Sequence, residues 1–214
     1  MQHQQEQTER LLLNILPASI ANRLKQEPGN IAEYFDDVTV LFADIVGFTQ
    51  IATSVSATTL VNLLNQIFSV FDRLSLEYDL EKIKTIGDAY MLVGGLPKRS
   101  SNHPQAVASM ALEMQNAIAK FNQRNNLDLT IRIGIHTGAV VAGVIGLQKF
   151  SYDLWGDTVN IASRMESHGL PGKIQVTQET YNRLQDEFIL ETRGEISVKG
   201  RGAMTTYLLR SKRQ

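Results

Sequence analysis

Two carboxylates stand where strands end. Asp44 closes the run Val38-Thr-Val-Leu-Phe-Ala43, and Val38 to Phe42 are all apolar or β-branched, the composition of a buried strand. Ile45-Val-Gly-Phe-Thr49 and a helical pattern follow at once. A carboxylate at the end of a buried strand is costly unless a cation or hydrogen bonds meet it. The amides beyond it sit where a helix starts, so they face whatever anion that cation brings. A metal-bound phosphate meets both demands; the plainer alternative is an aspartate that caps the helix. Asp88 is the second carboxylate. Glu81 to Val93 reads as a β-hairpin with Gly87-Asp88 at its turn, which puts Asp88 at the tip. Two carboxylates from separate strand ends can share a pair of Mg²⁺ ions, which prefer oxygen ligands and keep waters that a substrate replaces.

The surrounding pattern says what must hold these groups. Residues 1–10 are polar and Gln-rich and are expected to fray. From Leu11 to Leu24 the apolar positions Leu12, Ile15 or Leu16, Ile20 and Leu24 predict an amphipathic helix, broken or kinked at Pro17. Its stripe could cover its own domain or pair with a second copy, and pairing is the expectation. Glu27-Pro-Gly-Asn30 reads as a turn, so the boundary falls between a 1–29 segment and a 30–214 domain. Helices are expected over Leu60–Tyr78 and Pro104–Asn122, and a strand over Leu129–His136. Thr137 to Gly146 should turn and supply another strand. A helix over Gly156–Glu166, with Asp157 and Thr158 suited to its first turn, follows. A strand at Lys173–Val176, a helix near Gln178–Arg183 and strands near Phe188–Leu190 and Thr206–Leu209 end the chain. This order argues for one α/β sandwich with helices over a mixed sheet.

Composition narrows the classes. A chain of 214 residues with 43% hydrophobic content suits one globular domain plus a short extension. A net charge of −1 gives no electrostatic case for a nucleic-acid partner. The absence of cysteine excludes disulfides and thiolate metal sites. No apolar run approaches the roughly 20 residues that span a bilayer, and no secretory signal is visible. The expectation is a cytoplasmic domain, possible also as the cytoplasmic part of a membrane-anchored protein.

At Phe42-Ala-Asp-Ile-Val-Gly-Phe-Thr49, Lys84-Thr-Ile-Gly-Asp-Ala-Tyr-Met91 and Trp155-Gly-Asp-Thr-Val-Asn-Ile-Ala-Ser-Arg-Met165, the chain resembles the class III nucleotidyl cyclase catalytic domain. The resemblance runs from about residue 31 to residue 210. Leu12 to Leu24 also looks like the helix that precedes this domain in cyclases fused to receptors or sensors. The resemblance implies a ferredoxin-like βαββαβ core with extra C-terminal strands and helices, and a homodimer with active sites shared between its chains. It implies that Asp44 and Asp88 hold two Mg²⁺ or Mn²⁺ ions per site, and that the amides of Ile45, Val46, Gly47, Phe48 and Thr49 hold phosphate oxygens. Asn160 and Arg164 match the family's transition-state pair, and their i, i+4 spacing puts both on one helix face. Lys199, in Val198-Lys-Gly-Arg-Gly202, matches a lysine on the triphosphate, and Arg132 a basic position near the β- and γ-phosphates. His136, in an apolar strand, reads as a satisfied core histidine and Trp155 as packing.

The family's base-reading positions match Lys84 and Asp153. Adenine offers an acceptor at N1 and a donor at its 6-amino group, and guanine reverses both. A donor-only Lys and an acceptor-only Asp therefore suit adenine. Guanylate cyclases typically show Glu and Cys there. The surroundings, notably Ala162-Ser-Arg-Met-Glu-Ser-His-Gly-Leu-Pro171, look more like receptor guanylate cyclases, but two side chains contact the discriminating edge. The implied activity is adenylate cyclase, making cyclic AMP and pyrophosphate from ATP, with the domain fused to an upstream sensor or receptor. The alternatives are a guanylate cyclase, a nucleotide- or partner-binding regulatory domain, and a Mg²⁺-dependent polymerase or other phosphotransferase on a related ferredoxin-like fold. Completeness of Asp44, Asp88, Asn160 and Arg164 speaks against the regulatory domain, and the near-zero charge against a nucleic-acid template.

Overall fold

The computed structural model describes residues 2–26, 29–146 and 149–214. In chain order they form α1 (Gln2–Leu13), α2 (Ala18–Gln26), β1 (Ile31–Val46), α3 (Phe48–Ala52) and α4 (Ala57–Glu77). Next come β2 (Glu81–Ile86), β3 (Ala89–Gly94), α5 (His103–Asn125), β4 (Thr130–Val144) and β5 (Tyr152–Trp155). The chain ends with α6 (Asp157–Ser167), β6 (Ile174–Thr177), α7 (Gln178–Leu184), β7 (Phe188–Val198) and β8 (Gly202–Lys212).

β1 is central, flanked antiparallel by β3 and β4. The sheet order is β2-β3-β1-β4-β6-β8-β7, with β5 pairing β4 off that path. β4 and β6 run parallel and the other pairs antiparallel, so the sheet is mixed. The run β1-α4-β2-β3-α5-β4 is the ferredoxin-like βαββαβ unit, extended by the later elements.

Two cores explain why Val38 to Phe42 is apolar or β-branched at every position rather than apolar at alternate ones. Leu41, Ala43 and Ile45 pack with Ile67 and Phe71 of α4 and Met110 and Met114 of α5. Val38, Val40 and Phe42 enter a second core with Met91, Val93 and Leu154, closed by Ile20 and Ala21 of α2. By the same alternation Asp44 shares the face of Val40 and Phe42. α6 lies tightly on β4: a Cβ at Gly134 would stand 2.0 Å from the Glu166 backbone nitrogen.

Several expectations change. Gln2–Leu13 is helical rather than frayed, and the Lys25–Glu9 ion pair at 2.6 Å ties α1 to α2. The break at Pro17 resets the helical phase, so Leu16 and Ile20 are buried while Ile15 is 59% exposed. The stripe covers its own domain, against the expectation of pairing with a second copy. Glu27 and Pro28 of the expected turn lie outside the described residues. Thr137 to Val144 does not turn, because β4 runs on through it. Gly143 passes so close to β1 that a Cβ would meet the Ile31 carbonyl oxygen at 1.9 Å. Trp155 ends β5 partly exposed, not packed.

His136 is the satisfied core histidine expected, with Nδ1 2.8 Å from the Thr177 hydroxyl. Burial pulls its pKa down to about 4; Glu179 opposes this and Arg201 adds to it. The unfolded imidazole takes a proton near pH 6.5, so acid favours the unfolded chain first. Stability from this residue is whole above pH 6.5 and lost progressively toward pH 4, with about 2 kcal/mol gone by pH 5. His136→Gln should therefore lose less melting temperature between pH 7 and pH 5 than the wild type. Equal losses in both would contradict this.

Candidate active site

The hairpin tip brings the two aspartates together. Asp44 lies in register with Ala89 of β3 and Arg132 of β4. The Ile45 amide donates to the Asp88 carbonyl at 3.4 Å, fastening the β2–β3 turn to the end of β1. Gly87 takes the left-handed φ of +60° that the tight turn requires. Asp44 caps nothing: the N-cap of α3 is Gly47, at φ +89° and without a side-chain cap. Burial, then the Asp88 and Glu166 carboxylates, push the Asp44 carboxyl up to about 6, against the pull of Arg132. Crowded, half-buried carboxylate oxygens of this kind are a donor set that suits Mg²⁺ or Mn²⁺. Among the described residues no cluster of three or more His, Cys, Asp or Glu side chains is placed to hold a metal. An ion at Asp44 and Asp88 would complete its shell with water, backbone or substrate oxygens.

Arg132 lies between two carboxylates rather than free. Its Nε donates to Glu166 at 2.7 Å and its Nη to Asp44 at 3.4 Å. Glu166 was not a sequence candidate; the contact joins residues 34 apart, and only α6 packing on Gly134 creates it. Of the five amides expected to face phosphate, that of Ile45 is already used by Asp88, and Val46 is paired in the sheet. Gly47, Phe48 and Thr49 stand at the first turn of α3, where amides lack intrahelical partners.

α6 carries the other group. Asn160 and Arg164 line an open cavity of about 470 Å³, and Lys199 and Arg201 reach it from the β7–β8 turn. Neither Asp44 nor Asp88 lines it. The helix explains why. Arg164 and Glu166 are two residues apart, about 200° around the axis. Glu166 turns into its own sheet, and Arg164 turns out to the cavity.

The third pair meets across a curl in the sheet. β2 and β5 are not neighbours in the strand order, yet Lys84 of β2 donates to Asp153 of β5 at 2.6 Å. The other Asp153 oxygen accepts the Leu154 amide at 2.8 Å, which fixes the carboxylate's orientation. Lys84 is 43% exposed and Asp153 20%, so solvent or a ligand can reach the pair.

The fold agrees with the comparisons. Residues 31–211 match the adenylate and guanylate cyclase catalytic domain family, and the chain belongs to it. It is 49% identical over 210 residues to an adenylate cyclase of Mycobacterium tuberculosis, covering 98% of this chain and 47% of that protein. It is 46% identical over 208 residues to the guanylate cyclase soluble subunit beta-2 of Rattus norvegicus, covering 96% of this chain and 30% of that one. The crystal structure of the adenylyl cyclase CyaB from P. aeruginosa superposes with a TM-score of 0.82 at 30% identity, covering 86% of this chain and 98% of that one. The chain thus spans about half the length of the mycobacterial relative and less of the rat one. Cyclases of both nucleotide types stand at similar identity, so overall likeness does not choose the base. Among the described residues no helix is long and apolar enough to cross a membrane.

Proposed function

We propose that this chain is an adenylate cyclase, converting ATP to 3′,5′-cyclic AMP and pyrophosphate at sites assembled from two copies. The observation that carries ATP over GTP is the contact between Lys84 and Asp153. A bound adenine would take the place of that contact, with Lys84 donating to N1 and Asp153 accepting from the 6-amino group. Guanine would face a donor with a donor and an acceptor with an acceptor. Such mismatches, once the bound base excludes water from them, reject a substrate strongly.

The ribose 3′-oxygen forms a bond to the α-phosphorus as the bond to the bridging oxygen of pyrophosphate breaks, and the 3′-hydroxyl proton passes to water or a phosphate oxygen. Asn160 orients the ribose so that the 3′-oxygen lies in line. Arg164 meets negative charge developing on the α-phosphoryl oxygens. Lys199 and the Gly47–Thr49 amides hold the triphosphate, and Arg132 steadies Asp44. Mg²⁺ or Mn²⁺ held by Asp44 and Asp88 would supply Lewis acidity at the phosphates. Two copies are needed because Arg164 points away from its own chain's Asp44, so each site would join the aspartates of one chain to α6 of the other. Coupling to an upstream sensor is part of the same proposal, since the matched relatives are about twice as long or more.

Incubation with ATP and Mg²⁺ should yield cyclic AMP and pyrophosphate in equal amounts. The 46% identity to a guanylate cyclase subunit favours GTP as the second reading, in which Lys84–Asp153 is an ion pair that no base displaces. Cyclic GMP alone would establish that reading. Nucleotide binding with neither product would make the domain regulatory.

A further inference from the structure

We infer that Arg201 is a further polyphosphate-binding residue, parked on Asp157 until a triphosphate draws it away. The inference rests on reading the α6 cavity as the place where the nucleotide's phosphates lie. The charged residues lining that cavity are Asp157, Arg164, Lys199 and Arg201, three cations against one carboxylate. A surplus of two positive charges in a polar, open cavity suits a polyanion. Yet one of the three cations is occupied, because Arg201 is ion-paired with Asp157.

The turn that carries Arg201 is built to let it change partners. Gly200 and Gly202 flank it at φ +85° and +78°, and nothing lies within 4 Å of where a Cβ would stand at either. The Arg201 amide donates to the Val198 carbonyl at 2.9 Å, making a tight tip at the end of β7. Both partners of the ion pair are about half exposed, at 51% and 53%. Pairs so exposed hold weakly, whereas a guanidinium binds phosphate through two parallel hydrogen bonds. Asp157 sits in the first turn of α6, where a carboxylate is favoured by the helix dipole. It therefore loses little when the guanidinium leaves. Lys199, two residues before Arg201, already lines the cavity, so movement of the tip would bring both cations to one ligand. Asp157 thus competes with the ligand for Arg201.

That competition gives Asp157 and Arg201 opposite signs, which a merely structural ion pair would not. The probe is inorganic tripolyphosphate, titrated calorimetrically into the intact chain, with KM and kcat for ATP measured alongside. Arg201→Gln should weaken tripolyphosphate about tenfold and raise KM similarly, with a smaller effect on kcat. Arg201→Lys should fall between. Asp157→Asn should tighten tripolyphosphate by about threefold. The double variant should fall well below Asp157→Asn and close to Arg201→Gln, keeping only the small gain from removing the carboxylate's own charge from the cavity. If Asp157→Asn weakens binding as Arg201→Gln does, the pair only docks the turn on α6 and the inference is wrong. It is equally wrong if Arg201→Gln binds tripolyphosphate as the wild type does. Because the probe has no base or ribose, this pattern in a chain that makes no cyclic AMP would uphold Arg201 while removing the adenylate reading.

Discussion

Asp44→Ala and Asp88→Ala should each lower kcat by about a thousandfold or more and leave the fold intact, because each would remove the metal ligation proposed at the phosphates. The structure gives a reason to expect folded variants. The Asp44 carboxyl is pushed up to about 6 by burial and by Asp88 and Glu166, so its charge is held against its surroundings. Removing it relieves repulsion and leaves Arg132 its shorter bond to Glu166. The Asp88 side chain stands at a turn whose fastening to β1 is through its backbone carbonyl, which alanine keeps. Melting temperatures should therefore stay within a few degrees of the wild type. A folded variant retaining activity within tenfold would remove the metal-binding role of that aspartate.

Mixing two inactive variants should restore activity. Asp44→Ala lacks the aspartate half and Arg164→Ala the α6 half, and each is expected to be inactive alone. In a mixed dimer one site would gather both lesions and the other none. With random exchange half of the dimers are mixed and each has one intact site, so about a quarter of wild-type activity should return. The opposed directions of Arg164 and Glu166 on α6 are what make the two halves separable between chains. No recovery, with mixed dimers demonstrated, would mean that each chain builds its own site.

What the sequence revealed and what it hid follow from the range of the interactions. Asp44 and Asp88 were legible because local signals placed them, a doubly buried strand and a Gly-Asp turn. That Asn160 and Arg164 share one face of α6 was legible through helical spacing. β5 was hidden: Tyr152-Asp-Leu-Trp155 is short, and only its pairing with Val141–Val144 makes it a strand. The continuity of β4 was hidden by its glycines, which read as a turn. They serve close approach instead, since a Cβ at Gly138 would meet the Thr158 hydroxyl at 2.6 Å. The break at Pro17 was local and legible, but the partner of the apolar stripe was not, because the core that receives Leu16 and Ile20 is assembled from β1, β3, β4 and β5. Arg132 between Asp44 and Glu166 likewise depends on three elements meeting.

Lys84 and Asp153 are the pair proposed to make this cyclase specific for ATP. The direct measurement is a competition: the chain is given equal concentrations of ATP and GTP with Mg²⁺, and both cyclic products are quantified, so that their ratio reports relative kcat/KM. The Lys84→Glu, Asp153→Cys double variant is run alongside, with donor and acceptor exchanged. Cyclic AMP should exceed cyclic GMP by about a hundredfold or more for the wild type, with a swing toward cyclic GMP for the variant. Comparable amounts of both products from the wild type, or a ratio that the double substitution leaves unchanged, would contradict it.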